Sequence, residues 1–253
     1  MTHSSPVLQQ TLNQGVLTLT LNRPERHHAI NHELAEDLIA AVEEAEADEA
    51  VGAIVIKGSG RKAFCAGQDM LEASGVEAGA ADPLNSSANR AVARLEACPL
   101  PLLAAIHGYC FGGGALLAMA CDIRYAAPTA SFSLPGAEYG LVVGASVLPR
   151  LVGVARAKEL ILTARRFSAE EAQAYGFVNE LMPVDELEDR VFRIAETIAG
   201  NSRTAVRESK RIMDLASLDR DVCAEEQALN RALRATDEQR ERFRTATRKV
   251  TGR

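Results

Sequence analysis

Runs of apolar residues near the start of the chain predict a β-hairpin followed by a helix. Val7–Leu12 and Val16–Leu21 have the composition of strands, and 13–15, Asn-Gln-Gly, is typical of the turn between them. Asn31 can cap a helix that follows Arg23-Pro24. The apolar stripe of that helix consists of Leu34, Leu38, Ile39, Val42 and Ala45.

Buried strands and helices then alternate, which indicates an α/β core. Ala53–Ile56, Leu102–Ile106 and Cys121–Tyr125 are apolar and strand-like, and Ala115–Ala120 has helical composition. The window Leu102–Cys121 is as long and apolar as a membrane span. Its glycines and the two prolines just before it break a helical pattern, so we interpret the window as a strand, a glycine turn and a helix.

The chain beyond Ala145 is predicted to be mostly helical. Ser168 and Glu171 form a capping-box pattern, and Gly176 can end that short helix. Asp185 is expected to cap a helix over Glu186–Ala199, and Thr236 or Asp237 to cap the last helix. We therefore divide the chain into a core over residues 1–200 and a helical C-terminal region over 201–253. Between Ser74 and Ser87, small and polar residues predict a mobile loop.

Composition and charge narrow the classes of function. The chain has 253 residues, 47% of them hydrophobic, and a net charge of −6, so we expect a well-packed protein and no general affinity for nucleic acid. The segment from residue 201 onward carries 13 Lys and Arg against 9 Asp and Glu. This basic segment is either a solvated helical face or a place that meets an anionic ligand.

The cysteines and the N-terminus indicate a reducing cytoplasm. Five cysteines form no C-x-x-C pair and leave one unpaired under any disulfide scheme. The first six residues lack the charged and apolar regions of a secretory signal. The histidines form no metal-site pattern, and no metal is implied.

Two glycine-rich segments carry the candidate chemistry. They are 58–70, Gly-Ser-Gly-Arg-Lys-Ala-Phe-Cys-Ala-Gly-Gln-Asp-Met, and 107–122, which contains Gly112-Gly113-Gly114. Each places glycine where a strand gives way to a helix, so that backbone N–H groups can face an oxyanion or a phosphate. Tight packing explains one such cluster equally well, whereas two in one α/β domain favour a binding site.

These segments resemble the crotonase (enoyl-CoA hydratase/isomerase) superfamily. Phe64–Asp69 is similar to its F-x-A-G-x-D motif, and Gly108–Gly114 to its G-x-x-x-G-G-G motif. The likeness extends to Asn22-Arg23-Pro24, 121–124, Val152-Gly153 and 172–177, nearly the whole chain. The resemblance implies a spiral of repeated β-β-α turns with a helical C-terminal region, and a protein of fatty acid metabolism that binds an acyl-CoA thioester.

The resemblance also assigns roles to individual residues. The backbone N–H groups of Gln68 and Gly113 would form an oxyanion hole around the thioester oxygen, while Asp69 and Asp122 would brace loops. Coenzyme A, as part of the substrate, would lie along a set of six residues. These are Arg26, His28, Ala29, Ala63, Ala66 and Phe243. No tightly bound cofactor is expected. The alternative for Phe243 is ordinary helix packing, and packing is also the expected role of His107 and Cys65.

The chain departs from the family at the expected acid/base positions. Leu116 and Gly136 stand where hydratases have glutamates, and Gly144 where some isomerases and dehalogenases have an aspartate. The usual two-glutamate hydration is therefore not expected. Glu138 is the remaining candidate as a single acid/base, with Tyr139 beside it, and a surface position is the alternative for Glu138.

Two functions of different classes follow. The first is an enzyme of the hydratase/isomerase type, a lyase or isomerase that acts through a stabilised enolate. The second is a non-catalytic acyl-CoA carrier or sensor that has lost proton transfer. A serine hydrolase is disfavoured because no G-x-S-x-G elbow occurs, and a nucleoside triphosphatase because the phosphate-loop spacing is absent. The resemblance implies a homotrimer or a hexamer built as a dimer of trimers.

Overall fold

Two β-sheets and the helices around them form the core of the protein. A computed structural model describes residues 5–74, 83–234 and 236–251. The larger sheet has the order β1-β2-β3-β5-β7-β10. Its strands are β1 (Leu8–Asn13), β2 (Val16–Leu21), β3 (Ala53–Gly58), β5 (Leu102–Ile106), β7 (Ile123–Ala126) and β10 (Glu180–Leu181). Only the first pair, the β1–β2 hairpin, is antiparallel within this sheet.

Strands of the smaller sheet alternate along the chain with strands of the larger sheet. Its order is β4-β6-β8-β9, and its strands are β4 (Ala63–Cys65), β6 (Tyr109–Phe111), β8 (Ser131–Ser133) and β9 (Phe167–Ser168). Strands β3, β5 and β7 each run into β4, β6 and β8 respectively, and a helical segment comes next in the chain. This repeated β-β-α turn is the fold predicted from the sequence.

Helices cover both faces of the larger sheet and build the C-terminal region. They are α1 (His32–Ala47), α2 (Met70–Ser74), α3 (Pro83–Glu96), α4 (Gly113–Ala120), α5 (Leu148–Val152), α6 (Val154–Thr163), α7 (Ala169–Ala174), α8 (Leu187–Ala199), α9 (Arg203–Ser217), α10 (Arg220–Arg234) and α11 (Asp237–Thr251). Single 3-10 turns occupy Pro24–Arg26 and Ala137–Tyr139. None of the helices described is long and apolar enough to cross a membrane.

Strand β3 is buried on both faces, which explains its continuous run of apolar residues. Ile54 and Ile56 face the larger core cluster, whereas Val55 faces a second cluster with Leu103 of β5 and Val191 of α8. Alternate side chains point to opposite faces of a sheet, so a strand covered on both faces needs apolar residues at every position.

Several predicted caps are confirmed and one is wrong. The Asn31 side chain accepts a hydrogen bond from the Leu34 N–H, and Ser168 and Glu171 form the capping box. Asp185 does not cap α8: the helix begins at Leu187, Glu186 occupies the cap position, and the Asp185 carboxylate pairs with Arg61 at 2.6 Å. The Asp185 carboxylate therefore pairs with the exposed Arg61 side chain and not with the backbone N–H groups at the start of α8.

The predicted loop Ser74–Ser87 is partly wrong. Residues 75–82 lie outside the described part of the chain, but Pro83–Ser87 form the start of α3. A proline at the first helical position costs no hydrogen bond, because that N–H would be unpaired in any case. The Ser87 side chain is buried and lies 2.8 Å from Nδ1 of His32.

Candidate functional site

Two loops bring the backbone N–H groups of Gln68 and Gly113 together. Ile30 forms a parallel bridge with Gln68: the Ile30 N–H donates to the Gly67 carbonyl, and the Asp69 N–H donates to the Ile30 carbonyl. In that pattern the N–H of Gln68 itself points away from Ile30. The Gln68 nitrogen lies close to Gly113, since a Cβ added to Gly113 would lie 3.3 Å from it.

Gly113 is the first residue of α4, so its N–H has no partner within the helix. Two other glycines allow the close approach. A Cβ on Gly67 would lie 2.7 Å from the Phe111 carbonyl oxygen, and one on Gly114 would lie 2.1 Å from the Cys65 carbonyl oxygen. Only residues without a Cβ can bring these backbones so near each other.

This arrangement suits an oxygen atom that gains negative charge. The Gln68 and Gly113 nitrogens are close neighbours, and the positive end of the α4 dipole lies at Gly113. Most residues of α4 beyond Gly113 are buried, so the Gly113 N–H is fixed on a rigid element.

A mostly buried ion pair holds the Gln68 loop. The Arg23 guanidinium donates to Asp69 Oδ2 at 3.0 Å and also to the Ala29 carbonyl. The second carboxylate oxygen of Asp69 accepts from the Leu71 and Glu72 N–H groups at the start of α2. The prediction that Asp69 braces a loop is therefore confirmed. Asp122 does the same elsewhere: it accepts from the Leu102 N–H and pairs with Lys210, both at 2.8 Å.

The residues predicted to line coenzyme A lie near this loop with unequal exposure. Arg26 is exposed, Ala29 and Ala66 are half-buried, and Ala63 is fully buried. His28 is also buried: its Nδ1 accepts from the Arg23 N–H at 3.0 Å, and its Nε2 lies 2.9 Å from the Ser59 carbonyl oxygen. Both ring nitrogens are thus engaged within the protein, and the His28 side chain has no polar atom left for a ligand.

Burial controls the ionisation of the side chains behind the site. It lowers the pKa of His28 and of His107, whose Nε2 lies 3.1 Å from the Gly58 carbonyl oxygen. Burial raises the pKa of the Cys65 thiol to about 12. A thiol that stays protonated is a poor nucleophile, so Cys65 acts as a packing residue, as predicted.

The C-terminal helix packs against two elements of the core of its own chain. Helix α11 packs against α2 and the 3-10 turn Ala137–Tyr139, and Phe243 meets Tyr139 edge to face with ring centroids 6.4 Å apart. Burial raises the pKa of Tyr139. Glu138, in the same turn, is exposed. The structure therefore brings Phe243 and Tyr139 together and leaves the Glu138 carboxylate at the surface.

Apolar contacts surround the positions at which the resemblance predicts carboxylates. A Cβ added to Gly136 would lie 2.7 Å from Cγ2 of Val143, and one added to Gly144 would lie 3.6 Å from Cδ2 of Leu116. A side chain at position 136 would therefore require Val143 to move. The resemblance implies that the acyl group lies beside Leu116, Gly136, Val143 and Gly144, and we call this region the acyl chamber.

Sequence reasoning missed three residues that shape the site. Val143 fills the space beside Gly136, Arg23 holds Asp69, and Glu226 of α10 accepts hydrogen bonds from the loop at Gly144. Arg23 belongs to Asn22-Arg23-Pro24, one of the segments that carry the resemblance, and this was a sequence signal for a role near the site. Glu226 lies 82 residues from Gly144 in a charged helix, and no local pattern distinguishes it from a solvated carboxylate.

Comparisons with known proteins found similar sequences and similar folds. Residues 11–249 match the family described as enoyl-CoA hydratase/isomerase. The short-chain-enoyl-CoA hydratase of Clostridium acetobutylicum is 35% identical over 202 residues, which cover 79% of this chain and 77% of the relative. The crotonyl-CoA hydratase of Syntrophomonas wolfei is 35% identical over 213 residues, 83% and 81% of the two chains. A crystal structure of an enoyl-CoA hydratase/isomerase from Pseudoalteromonas atlantica superimposes with a TM-score of 0.86 at 30% identity, over 96% of this chain and 97% of the other.

Proposed function

The chain belongs to the enoyl-CoA hydratase/isomerase family of the crotonase superfamily, and on that basis we propose that it holds an acyl-CoA thioester oxygen between the Gln68 and Gly113 N–H groups. Family membership makes it an acyl-CoA enzyme in the broad sense. The proposal is narrower: the enzyme stabilises a thioester enolate and acts as an isomerase or lyase in fatty acid metabolism.

The observation that carries the proposal is the close approach of the Gln68 backbone nitrogen to Gly113 at the N-terminus of α4. One oxyanion-hole donor is worth roughly 3 kcal/mol of transition-state stabilisation in characterised enzymes, so a pair can govern enolate chemistry. Stabilisation of the enolate oxygen by these N–H groups needs no side-chain acid. The Gln68 side chain is not assigned a role; its backbone N–H is the functional group.

Proton transfer is assigned to Glu138. It lies in the turn covered by α11, two residues beyond the position of a family glutamate, and a shift of this turn would bring it to the substrate. A single carboxylate that both removes and returns a proton is sufficient for isomerisation.

Glu138→Gln is expected to reduce turnover about 100-fold or more while leaving coenzyme A affinity unchanged, because only the proton carrier is lost. Steady-state rates and calorimetric binding of coenzyme A measure the two effects. Glu49→Gln, at an exposed glutamate between α1 and β3, is the control for charge. Equal rates in both variants would exclude Glu138.

A non-catalytic acyl-CoA carrier or sensor is the second candidate. It is favoured by the apolar residues Leu116 and Val143 in the acyl chamber, where no carboxylate is found among the residues that bound it. The exposed position of Glu138 also favours it. In that case the cradle for the thioester is retained and the protein binds without turnover.

Loss of the conjugated enoyl-thioester absorbance, measured with enoyl-CoAs of several chain lengths, separates the two candidates. Turnover supports the enzyme. Tight binding of the same thioesters without turnover supports the carrier, and absence of both would overturn the proposal that acyl-CoA is the ligand.

Coenzyme A is proposed to run along Arg26, the backbone of His28 and Ala29, and Ala63 to Ala66, with Phe243 closing the pocket. The exposed Arg26 and the half-buried Phe243 support this path, because one offers charge to phosphates and the other an apolar surface. We further propose a cytoplasmic homotrimer or a dimer of trimers.

A further inference from the structure

Residues 141–147, which join the 3-10 turn Ala137–Tyr139 to α5, form one wall of the acyl chamber. They adopt neither helix nor strand. Val143 lies against Gly136, and Gly144 lies against Leu116 and Met119. A displacement of this wall by an ångström would change the width of the chamber beside the thioester.

Two side chains of α10 bind the backbone of this wall. The Glu226 carboxylate accepts from the Gly144 N–H through Oε1 and from the Ser146 N–H through Oε2, each at 2.6 Å. Asn230, one helical turn later, accepts from the Val142 N–H at 2.9 Å, and its own amide donates to the Val142 carbonyl. We call Glu226 and Asn230 the α10 clamp.

The clamp attaches α10 to residues 142–146. None of the side chains described in α10 is fully buried, and Val222 and Leu229 are 45% and 47% exposed. Cys223 is only partly buried against the core. Hydrogen bonds from backbone N–H groups to a carboxylate are stronger than those between neutral groups. The position of the wall therefore depends on α10.

We propose that Glu226 and Asn230 are positioning residues that fix the width of the acyl chamber and so determine which acyl groups fit. They act through the backbone of 142–146 and do not contact the substrate. The inference rests on the proposed function in one respect, the identity of the ligand as an acyl-CoA. Short acyl chains, which fill only the part of the chamber next to this wall, depend most on its position.

Glu226→Gln tests the inference, with Glu225→Gln as the matched control. Both substitutions remove one negative charge from the same helix, but Glu225 is exposed. In the Glu226→Gln protein one of the two acceptors becomes an NH2 group that faces a backbone N–H, so the clamp opens. Free coenzyme A, butyryl-CoA and decanoyl-CoA serve as probes in calorimetric titrations.

Butyryl-CoA is expected to bind the wild type more tightly than free coenzyme A does, and we call the ratio of the two affinities the butyryl gain. In Glu226→Gln this ratio should fall about tenfold. The affinity for coenzyme A itself, and the Glu225→Gln protein throughout, should match the wild type. The decanoyl gain should fall less than the butyryl gain, because a long chain also contacts surfaces beyond the wall. An unchanged butyryl gain, or an equal loss for coenzyme A and both thioesters, would overturn the inference.

Hydrogen exchange distinguishes failure of the clamp from failure of the proposed function. Without ligand, the Gly144 and Ser146 amides should exchange faster in Glu226→Gln than in Glu225→Gln, because one carboxylate acceptor is replaced by an NH2 group and the other loses its charge. Equal exchange rates overturn the clamp whatever the ligand is. If the exchange differs but the wild type binds no acyl-CoA, the proposed function fails and the assignment to acyl discrimination fails with it.

Coupling between the clamp and the chamber must also be reciprocal. Butyryl-CoA should slow amide exchange in α10 of the wild type and of Glu225→Gln, and should have a smaller effect in Glu226→Gln. A ligand that protects residues 142–146 but leaves α10 unaffected would show that the two do not act together.

Discussion

At the scale of single residues, the site depends on backbone groups placed by glycine and on neutral histidines behind them. Gly67 and Gly114 could be identified from the sequence because their motif is local. The partners of the histidines could not, since Ser59 lies 31 residues from His28 in the chain. The sequence indicated packing for His107, and the structure adds that its ring lies beside the Gly58 carbonyl.

The buried histidines predict a loss of stability in mild acid. Their pKa values lie below the ordinary value near 6.5, so between the folded and unfolded pKa the unfolded chain binds more protons. The free energy of unfolding should therefore fall as the pH drops below about 7, until the folded-state pKa values are passed. His107→Gln keeps an N–H donor near Gly58 without titrating, and should flatten this dependence. Urea denaturation from pH 8 to pH 5 measures it; equal slopes in both proteins would contradict the assignment.

At the scale of elements, the Arg23–Asp69 pair joins the turn Pro24–Arg26, the bridge at Ile30 and the start of α2. The elements themselves were largely predictable: the hairpin and β5 follow from the pattern of apolar residues, and the starts of α1 and α7 follow from the Asn31 cap and the Ser168–Glu171 capping box. Their mutual placement was not, because it depends on contacts such as this pair, 46 residues apart. Asp185 illustrates the same limit, since its carboxylate pairs with Arg61 rather than with the adjacent helix.

Asp69→Asn is expected to destabilise the fold by about 3 kcal/mol, because it leaves the mostly buried Arg23 charge without its partner. A double-mutant cycle with Arg23→Gln measures the coupling, which should account for most of that loss. Additive effects would mean that the pair does not hold the Gln68 loop.

At the scale of the whole molecule, the C-terminal helices pack against the core and leave apolar side chains exposed. Ile212, Met213 and Leu215 of α9 are each more than half exposed. Met213 also lines a cavity of about 810 Å³ beneath α9, at the end of α4 remote from Gly113. The sequence predicted helices in this region, but which side chains they expose depends on how they dock.

Such surface is unusual for a monomer and supports the proposed oligomer. Light scattering is expected to give a mass of three or six times 27.1 kDa for the wild type. Met213→Glu should shift the mass towards the single chain, because a buried carboxylate would oppose assembly, while Glu208→Gln, at an exposed residue of the same helix, should not. A wild-type mass of one chain would rule out the oligomer.

The central claim is that the Gln68 and Gly113 N–H groups polarise a thioester carbonyl, and the absorption spectrum of a bound dienoyl-CoA tests it most directly. Hydrogen bonds to the carbonyl of such a conjugated thioester shift its absorbance to longer wavelength, and no turnover is needed. Proline at position 113 removes one donor and suits the first position of a helix. We predict a clear red shift with the wild type and its loss in Gly113→Pro, with coenzyme A affinity retained. An equal shift in both proteins, or none in a wild type saturated with the ligand, would contradict the account.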